Sequence, residues 1–493
     1  FFDSRINFLA LEILPSQLEA ISAIMYEFIK HLKKLKHLIK IITKMKVTYH
    51  NSATVVIEGN NTKILCDPWL VNGAYIGSWC IYPPYNFQPT DFDDIDYIYV
   101  SHIHPDHSDE KTLTRLKKSI PVLIHDFPEK FLKNKIESFG FKTIELEHDK
   151  RIHLKNNIHI NILAADNCDP QICGKFIGCP NLQNKVGSNW LDTMSVIDDE
   201  NEVIVNTNDC PFDLAQFAVT RIKKKYENVD MLLSAYAGAS AYPHMFKMTE
   251  KERVIAAERK KLKRYQRIMN YIKLLEPKYF LPFAGTYTYC GKLSKYNYQR
   301  GEPELEEGFH YLVSKIDQNK SKGVLLNPKE SFDLTTGKDS SPYIPINLEK
   351  KKDYIKNILS KRKMDYEDDP EPSIKELEKL IQKSFVRFED MRKKINFSSN
   401  TRIILDFSSQ DLVIISCNGS GINFIKKDDL KKYKQYVKIF LDKKLLKRLL
   451  EGPTKWTDQG HWNIAEGGGH IFFDRVPDTY ELSLFYCFYN FYA

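Results

Sequence analysis

The sequence predicts an α/β fold, a layered domain of alternating strands and helices followed by a smaller α+β domain. Three observations carry this. From Val47 onward, short runs rich in strand-forming residues recur: "VTYHNSATVVIEG", "KILCDPWL", "IDYIYVS", "PVLIHDF", "IHINILAAD", "TMSVIDD" and "EVIVNTND". Helical segments separate some of them, notably "DEKTLTRLKKS" and "TEKERVIAAERKKLKRYQRIMNYIKLL", the order of a layered domain that ends near residue 335. A polar stretch over residues 336–372, with Pro, Ser and opposing charge blocks, then reads as a linker with a helical portion.

Residues 1–46 read as an N-terminal amphipathic helix. Ser16 and Glu19 have capping-box spacing just after Pro15. Ile21, Met25, Phe28, Leu32, Leu35, Ile39 and Ile42 alternate steps of four and three, an a/d seam with lysines opposite. Docking on its own protein is the simpler reading; a dimer through this helix and a membrane-surface helix are the alternatives. The lysines and arginines of the helix after Thr249 read as a solvated face rather than a nucleic-acid groove.

Residues 373–493 form the second domain. "TRIILDFSSQDLVIISCNGSGINFI" reads as three strands joined by turns, and "DDLKKYKQYVKIFLDKKLLKRLL" as helix. The tail carries His461 and His470 beside the run Gly467–Gly469. Lacking the lysine and strand–helix context of a P-loop, these glycines are expected to allow close packing on the first domain rather than to cradle phosphate.

A chain of 493 residues, 42% hydrophobic and 28% charged, has the composition of an ordinary globular protein of two or three domains. No segment has the unbroken apolar length of a membrane span. The net charge of +8, from 72 basic against 64 acidic residues, is weak for so long a chain and argues against a nucleic-acid partner. Nine scattered cysteines suit a reducing cytoplasm, and no stretch reads as a signal peptide, although the chain starts with Phe1 rather than Met.

The chemistry concentrates in "IYVSHIHPDHSDEKTL". If the strand continues through His102 and His104, two residues apart, both imidazoles fall on one face. Pro105 interrupts pairing, so Asp106 and His107 sit on the turn entering a helix near Asp109. Nitrogen and oxygen donors around one concave point suit one or two divalent metal ions, Zn, Mn or Fe. A polar turn with capping duties would account for one carboxylate but not for three imidazoles.

"HIHPDH" resembles the HxHxDH signature of the metallo-β-lactamase superfamily, and the strands before and after it are in the order of that fold. "CDPWL", "SHIHPDHSDEKTL", "SAYAGASAYPHMF", "AERKKLKRYQ" and "PKYFLPFAGTY" are similar to the corresponding domain of CMP-N-acetylneuraminate hydroxylases over roughly residues 47–300. The resemblance implies an αββα sandwich over residues 47–335. It implies that His102 and His104 hold a first metal, that Asp106 and His107 hold a second, and that Asp209 bridges them. A turn aspartate before Pro211 is the alternative for Asp209.

Two departures stand out. The superfamily's third histidine is replaced by "AADNCDPQICGKF", where Asp169 is the nearest oxygen donor and Cys168 the nearest thiolate. The final histidine is replaced by Ala284 or a neighbour in "LPFAGTY", a reading the hydroxylases share. The second metal position is then under-ligated, and a mononuclear site follows as an alternative. His244 is a candidate compensating ligand or proton donor, against a plain loop histidine. Asp67 and His50 fall near the site, Asp67 as an acceptor for the ligating imidazoles. Cys168, Cys173 and Cys179 fit no zinc spacing.

The expected function is a metal-dependent hydrolase acting on a phosphoester, amide or similar bond through a metal-activated water that Asp209 or Asp106 orients. The hydroxylase resemblance implies, as an alternative, an iron-dependent oxygenase on a small, anionic, nucleotide-sugar-like substrate. No cysteine is followed by histidine in the CxH…CxxH pattern of a Rieske module, so that role calls for an external electron donor or for ferrous iron used directly. A non-catalytic binding protein with a degenerate metal site is the third reading. The carboxyl-terminal strands and helices loosely resemble the sterol-carrier-like domains that some superfamily members carry.

Overall fold

Strand periodicity decides the architecture. The computed structural model describes residues 22, 24–31, 45–166, 192–407, 411–453, 459–478 and 481–493. The first sheet contains β1 (Lys46–Asn51), β2 (Thr54–Gly59), β3 (Thr62–Cys66), β4 (Tyr97–Tyr99), β5 (Val122–His125) and β6 (Thr143–Leu146) in that order, with Ser331–Asp333 and Lys338–Asp339 added beyond β1. Pairing is antiparallel from β1 to β3 and parallel from β3 to β6. The second sheet runs β7 (Arg151–His153), β8 (His159–Ala164), β9 (Thr193–Asp198), β10 (Val203–Asn208), β11 (Met231–Ala235), β12 (Tyr279–Phe283), then Lys322–Gly323.

Both sheets are buried on both faces, and alternate residues sort to opposite layers. Ile64, Leu123, Ile160, Ile162, Ile204, Leu233 and Leu281 meet between the sheets. Their neighbours Leu65, Val122 and Ile124 face outward, against Leu113 of α1 (Glu110–Leu113) and Leu132 and Ile136 of α2 (Phe131–Ser138). On the other side Leu163, Val205, Leu232 and Phe280 pack under α3 (Phe212–Lys225) and α4 (Glu250–Leu275). The result is the αββα sandwich of the metallo-β-lactamase type. Helix α1 is shorter than the expected 109–119, because Thr114–Ser119 continue as turns. Helix α4 starts at a capping box between Thr249 and Glu252, and not all its basic residues are solvated, since Lys260 is buried against Glu302 at 2.6 Å.

After α5 (Leu305–Val313), α6 (Leu348–Asn357) and α7 (Ile374–Lys394) comes a third sheet. Its strands are β13 (Arg402–Asp406), β14 (Asp411–Ser416), β15 (Ile422–Lys426), β16 (Tyr436–Phe440) and β17 (Phe472–Val476), in the order β15-β14-β13-β16-β17. Helices α8 (Lys443–Glu451), α9 (Trp462–Gly467) and α10 (Leu482–Tyr489) cover it. The stretch expected to be wholly helical, 428–450, contains β16: Val437 and Ile439 alternate into the core and pair in parallel with β13.

Residues 45–493 form one unit. A single core joins Trp69, Tyr75, Trp79, Tyr287, Tyr289 and Phe246 of the metal domain to Leu377, Leu405, Leu445, Trp462 and Phe473 of the C-terminal domain. Backbone hydrogen bonds from Lys247 N to Phe473 O and from Phe473 N to Met245 O, both 2.8 Å, stitch the loop after β11 onto β17. Residues 1–44 are a separate unit, helical at 22 and 24–31, where Ile24, Met25, Phe28 and Ile29 are exposed. The seam residues from Leu32 to Ile42, the Ser16–Glu19 cap, and Cys168, Asp169, Cys173 and Cys179 lie outside the described residues.

Candidate metal centre

The histidine loop leaves β4 earlier than expected. The strand ends at Tyr99, so His102 and His104 do not share a strand face. The loop itself brings them together. Ser108 N and His107 N donate to His104 O at 2.9 and 3.0 Å, and Lys135 Nζ holds Ile103 O at 3.0 Å. His102 Nε2 then lies 2.8 Å from His104 Nδ1, with the rings perpendicular at 87°. Two nitrogens that share an ion at ~2.1 Å stand roughly 3 Å apart, so the spacing suits chelation. Asp109 accepts from Thr112 N and Oγ1 and caps α1, as its place before the helix implies.

Asp67 anchors this loop from beneath. It follows β3 with φ 45° and is fully buried. Its carboxylate accepts from Ser101 N at 2.7 Å, Ser101 Oγ at 2.8 Å and His107 Nδ1 at 3.0 Å. Ser101 Oγ is also 2.9 Å from His102 Nδ1. One carboxylate and one hydroxyl thus orient two imidazoles through their far nitrogens, the support that ligating histidines need. His50 is not part of this arrangement; its Nδ1 contacts Tyr85 Oη at 2.7 Å.

The second sheet supplies carboxylates opposite. Asp209 follows β10, and its Oδ2 is 3.6 Å from His107 Nε2. Asp192 precedes β9, and its Oδ1 is 3.5 Å from His102 Nε2. Asp106 Oδ2 is 3.5 Å from His107 Nε2, while its Oδ1 accepts from Tyr75 Oη at 2.9 Å. Among the described residues, two groups place one ligand atom each within 4.8 Å of the others: His102, His104 and Asp192, and His102, His107 and Asp209.

Charge is distributed unevenly. Burial, reinforced by His107, holds His102 well below its ordinary pKa; burial likewise lowers His104. Both are neutral and offer lone pairs. Burial works against a proton on His107 too, but Asp106 and Asp67 outweigh it and hold that imidazole well above its usual value. Burial, with Asp209 nearby, pushes Asp192 up to about 7. Burial also opposes charge on Asp209, yet His107, Arg267 and Arg264 keep that carboxyl below its usual value.

These residues fit a divalent cation. Asp106 Oδ2, His107 Nε2 and Asp209 Oδ1 are buried and have no hydrogen-bond partner among the described residues. Orphaned carboxylate oxygens in one place are costly unless a cation satisfies them, and the proton that Asp106 and Asp67 hold on His107 is the charge such a cation would replace. An imidazole and carboxylate set suits Zn, Mn or Fe(II).

Of the residues singled out from sequence, His102, His104, Asp106, His107 and Asp209 converge, and Asp67 lies beneath them. Asp169 lies outside the described residues. His244 is in neither group: it is fully buried, with Nε2 3.0 Å from Tyr289 Oη. Ala284 follows β12 with φ 60° and donates its backbone N–H to Ser52 O, offering no ligand. Asp192, Ser101, Tyr75, Arg264 and Arg267 were not anticipated. Asp192 carried a usable signal, because a residue before β9 lies at the same sheet end as one after β10. A cleft of about 370 Å³ lies beside α1, lined by Tyr75, Asp109, Lys111, Asp365 and Gln459 among others; none of the three motif histidines lines it.

Comparison with known proteins agrees with this geometry. Residues 46–166 match the beta-lactamase superfamily domain. The chain is 28% identical over 303 residues to a putative Rieske 2Fe-2S iron-sulfur protein of Mycolicibacterium smegmatis, covering 59% of this chain and 54% of that one. It is 28% identical over 277 residues to the cytidine monophosphate-N-acetylneuraminic acid hydroxylase of Danio rerio, covering 54% of this chain and 42% of the relative. The chain thus spans about half the length of the curated relatives it matches. Among solved structures it aligns with a metallo hydrolase from Ignicoccus hospitalis (14% identity, 59% of this chain and 98% of that one, TM-score 0.38). It also aligns with the diiron β-hydroxylase CmlA from Streptomyces venezuelae (14% identity, 59% and 53%, TM-score 0.37). The two layered sheets and the family match over residues 46–166 give the metal domain the metallo-β-lactamase fold, and its sequence is similar to the hydroxylases named. Among the described residues no helix is long and apolar enough to cross a membrane.

Proposed function

We propose that this chain is a metal-dependent hydrolase acting on an anionic substrate, with a phosphoester as the favoured bond. The observation that carries the reading is the convergence of three imidazoles with carboxylate oxygens that are unpartnered among the described residues, at one largely buried site. His102, His104 and Asp192, with Asp106, His107 and Asp209, would hold the cation. When bound, a divalent cation lowers the pKa of a water from about 16 towards 7 and polarises the bond under attack.

The chain's own residues do the rest. Asp209 has an unpartnered oxygen and a side chain 14% exposed, so it is the group assigned to orient the attacking water. Asp106 has one oxygen committed to Tyr75 and acts as a fixed carboxylate beside His107. Arg267 donates to Asp209 O at 3.2 Å, and both it and Arg264 add positive charge beside that carboxylate. Gly238 leaves room for Arg264, since a Cβ there would meet its guanidinium at 2.8–3.0 Å. Two guanidiniums beside the reacting carboxylate favour a phosphoryl or carboxylate group on the substrate.

A second reading, an iron-dependent hydroxylase on a nucleotide-sugar-like substrate, is favoured by the 28% identity to the hydroxylase named above. Elemental analysis of the purified chain, combined with turnover of bis(p-nitrophenyl) phosphate and with oxygen uptake, separates the two. Zinc or manganese with chelator-sensitive phosphodiester turnover supports hydrolysis. Iron with oxygen uptake and no such turnover replaces it with the hydroxylase reading, and a metal-free chain leaves a binding role.

A further inference from the structure

The run of three glycines and His470 has no part in the mechanism above, yet it lies against Tyr75, which holds one oxygen of Asp106. Tyr75 Oη donates to Asp106 Oδ1 at 2.9 Å, and this bond leaves Oδ2 as the oxygen facing His107 Nε2. Without the phenol the carboxylate is free to turn about its Cβ–Cγ bond. Tyr75 is itself only 3% exposed, and its ring stacks on Trp79 at 4.1 Å, which stacks in turn on Tyr287 at 3.6 Å.

The backbone at this point is strained. Tyr75 and Ile76 are consecutive non-glycine residues with φ of 51° and 58°. Each such residue costs on the order of 1 kcal/mol or more and persists only where surrounding contacts over-determine it. Ser78 supplies local restraints, its Oγ donating to Tyr75 O at 2.9 Å and its N at 3.3 Å. Two come from the later part of the chain: His470 Nε2 donates to Tyr75 O at 2.8 Å, and Asp365 N donates to Ile76 O at 3.2 Å.

The glycines explain how His470 reaches that carbonyl. A Cβ on Gly467 would meet Tyr75 Cε1 at 3.0 Å, and one on Gly468 would meet Tyr75 O at 3.0 Å. Gly469 has φ +74°, and a Cβ there would meet Tyr289 Oη at 2.6 Å. A Cβ at Gly468 would also meet His470 Cδ2 at 2.8 Å, so a side chain at any of the three would press on Tyr75, Tyr289 or the His470 ring, and the backbone lies close against them. Because the carbonyl Tyr75 O can only accept, Nε2 carries the proton, and Nδ1 faces Tyr366 Oη at 3.4 Å.

We infer that Gly467–His470 of the C-terminal domain is a positioning element of the metal centre: by fixing Tyr75, it fixes the rotamer of Asp106 and so the shape of the site. Tyr75 and His470 are positioning residues, and the inference rests on the metal-binding reading given above. It makes the C-terminal domain part of the site rather than an appendage to it.

Cobalt(II) provides the test, since its visible absorption reports coordination geometry without turnover. The chain is stripped with chelator and titrated with Co(II) as wild type, Tyr75→Phe, His470→Ala, His470→Gln, Gly468→Ala and the double variant Tyr75→Phe/His470→Ala. Far-UV circular dichroism checks each fold. Tyr75→Phe should weaken binding about 10-fold and shift the visible bands, the usual scale for a partner of a metal ligand. His470→Ala should shift the bands in the same direction by a smaller amount. His470→Gln, whose amide can still donate to Tyr75 O, should return towards wild type. The double variant should be no worse than Tyr75→Phe, because the coupling runs through the phenol.

A His470→Ala protein with wild-type affinity and spectrum, or additive losses in the double variant, overturns the inference. If His470→Ala does not fold, Gly468→Ala decides: its methyl presses on the His470 ring at 2.8 Å and on Tyr75 O at 3.0 Å, and an unchanged spectrum there refutes the coupling. Wild type that takes up no Co(II) fails at the earlier step and removes the metal reading itself.

Discussion

The side of the site supplied by the His102–His107 loop holds its donors by direct hydrogen bonds, whereas the side supplied by the second sheet holds its donors by charge. On the first side Asp67 and Ser101 engage the far nitrogens of His107 and His102 at 2.9–3.0 Å. On the second, Asp192 and Asp209 approach the imidazoles at 3.5–3.6 Å, with Arg267 behind Asp209. The first arrangement is a preset chelate that fixes geometry before an ion arrives. The second is an adjustable set of charges that responds to what is bound. Ala284, standing where the resemblance calls for a histidine, belongs to the second side and leaves it without an imidazole of its own.

The largest effect should come from removing the residue that both ligand groups share. His102 is in both ligand groups, whereas His104 is in one. His102→Ala should lower metal content at least ~10-fold, and His104→Ala should leave a measurable fraction through His102, His107 and Asp209. Elemental analysis of the two purified variants checks the order. Equal content in both would break the comparison. The thermal midpoint of each should move by only a few degrees, since a net contribution of about 1 kcal/mol per lost hydrogen bond shifts it by about that much.

Next in size is Asp67→Asn. The amide tolerates the positive φ and can still accept from Ser101, but it cannot balance a charge on His107. Metal affinity should fall roughly 10- to 100-fold, the range for a lost carboxylate–histidine contact. Competition with a chromogenic chelator measures it. Asp192→Asn should cost less, about 3- to 10-fold, because the amide oxygen keeps the proposed ligand position and loses only the charge. A larger loss at Asp192 than at Asp67 would mean that the sheet side, not the loop, sets affinity.

This asymmetry also explains what the sequence discloses. Three imidazoles within six residues are a local signal, and sheet periodicity is local too, so residues such as Ile160, Ile162 and Leu163 announce their layers directly. Asp192 and Tyr75 are single residues of common type whose role depends on which strand ends meet, and that is set by sheet order. His470 touches a carbonyl 395 positions away, and no pattern within a window can show such a contact. The misread strand Tyr436–Phe440 has the same cause. Its flanking lysines imitate a helix face, and only pairing with β13 reveals the period of two.

The smallest effect should be at Arg267, and it asks whether the charged side serves the metal or the substrate. Arg267 bonds the backbone oxygen of Asp209, not its carboxylate, so its loss leaves every proposed ligand atom in place. Arg267→Gln should therefore keep the metal content of wild type while raising KM for bis(p-nitrophenyl) phosphate about 3- to 10-fold, with kcat changed less. Arg267→Lys keeps the charge but loses the planar fork, and should recover part of that loss, more at low ionic strength than at high. If metal content falls in Arg267→Gln in step with activity, the guanidinium is a prop for Asp209. The attraction for an anionic substrate must then come from Arg264 alone.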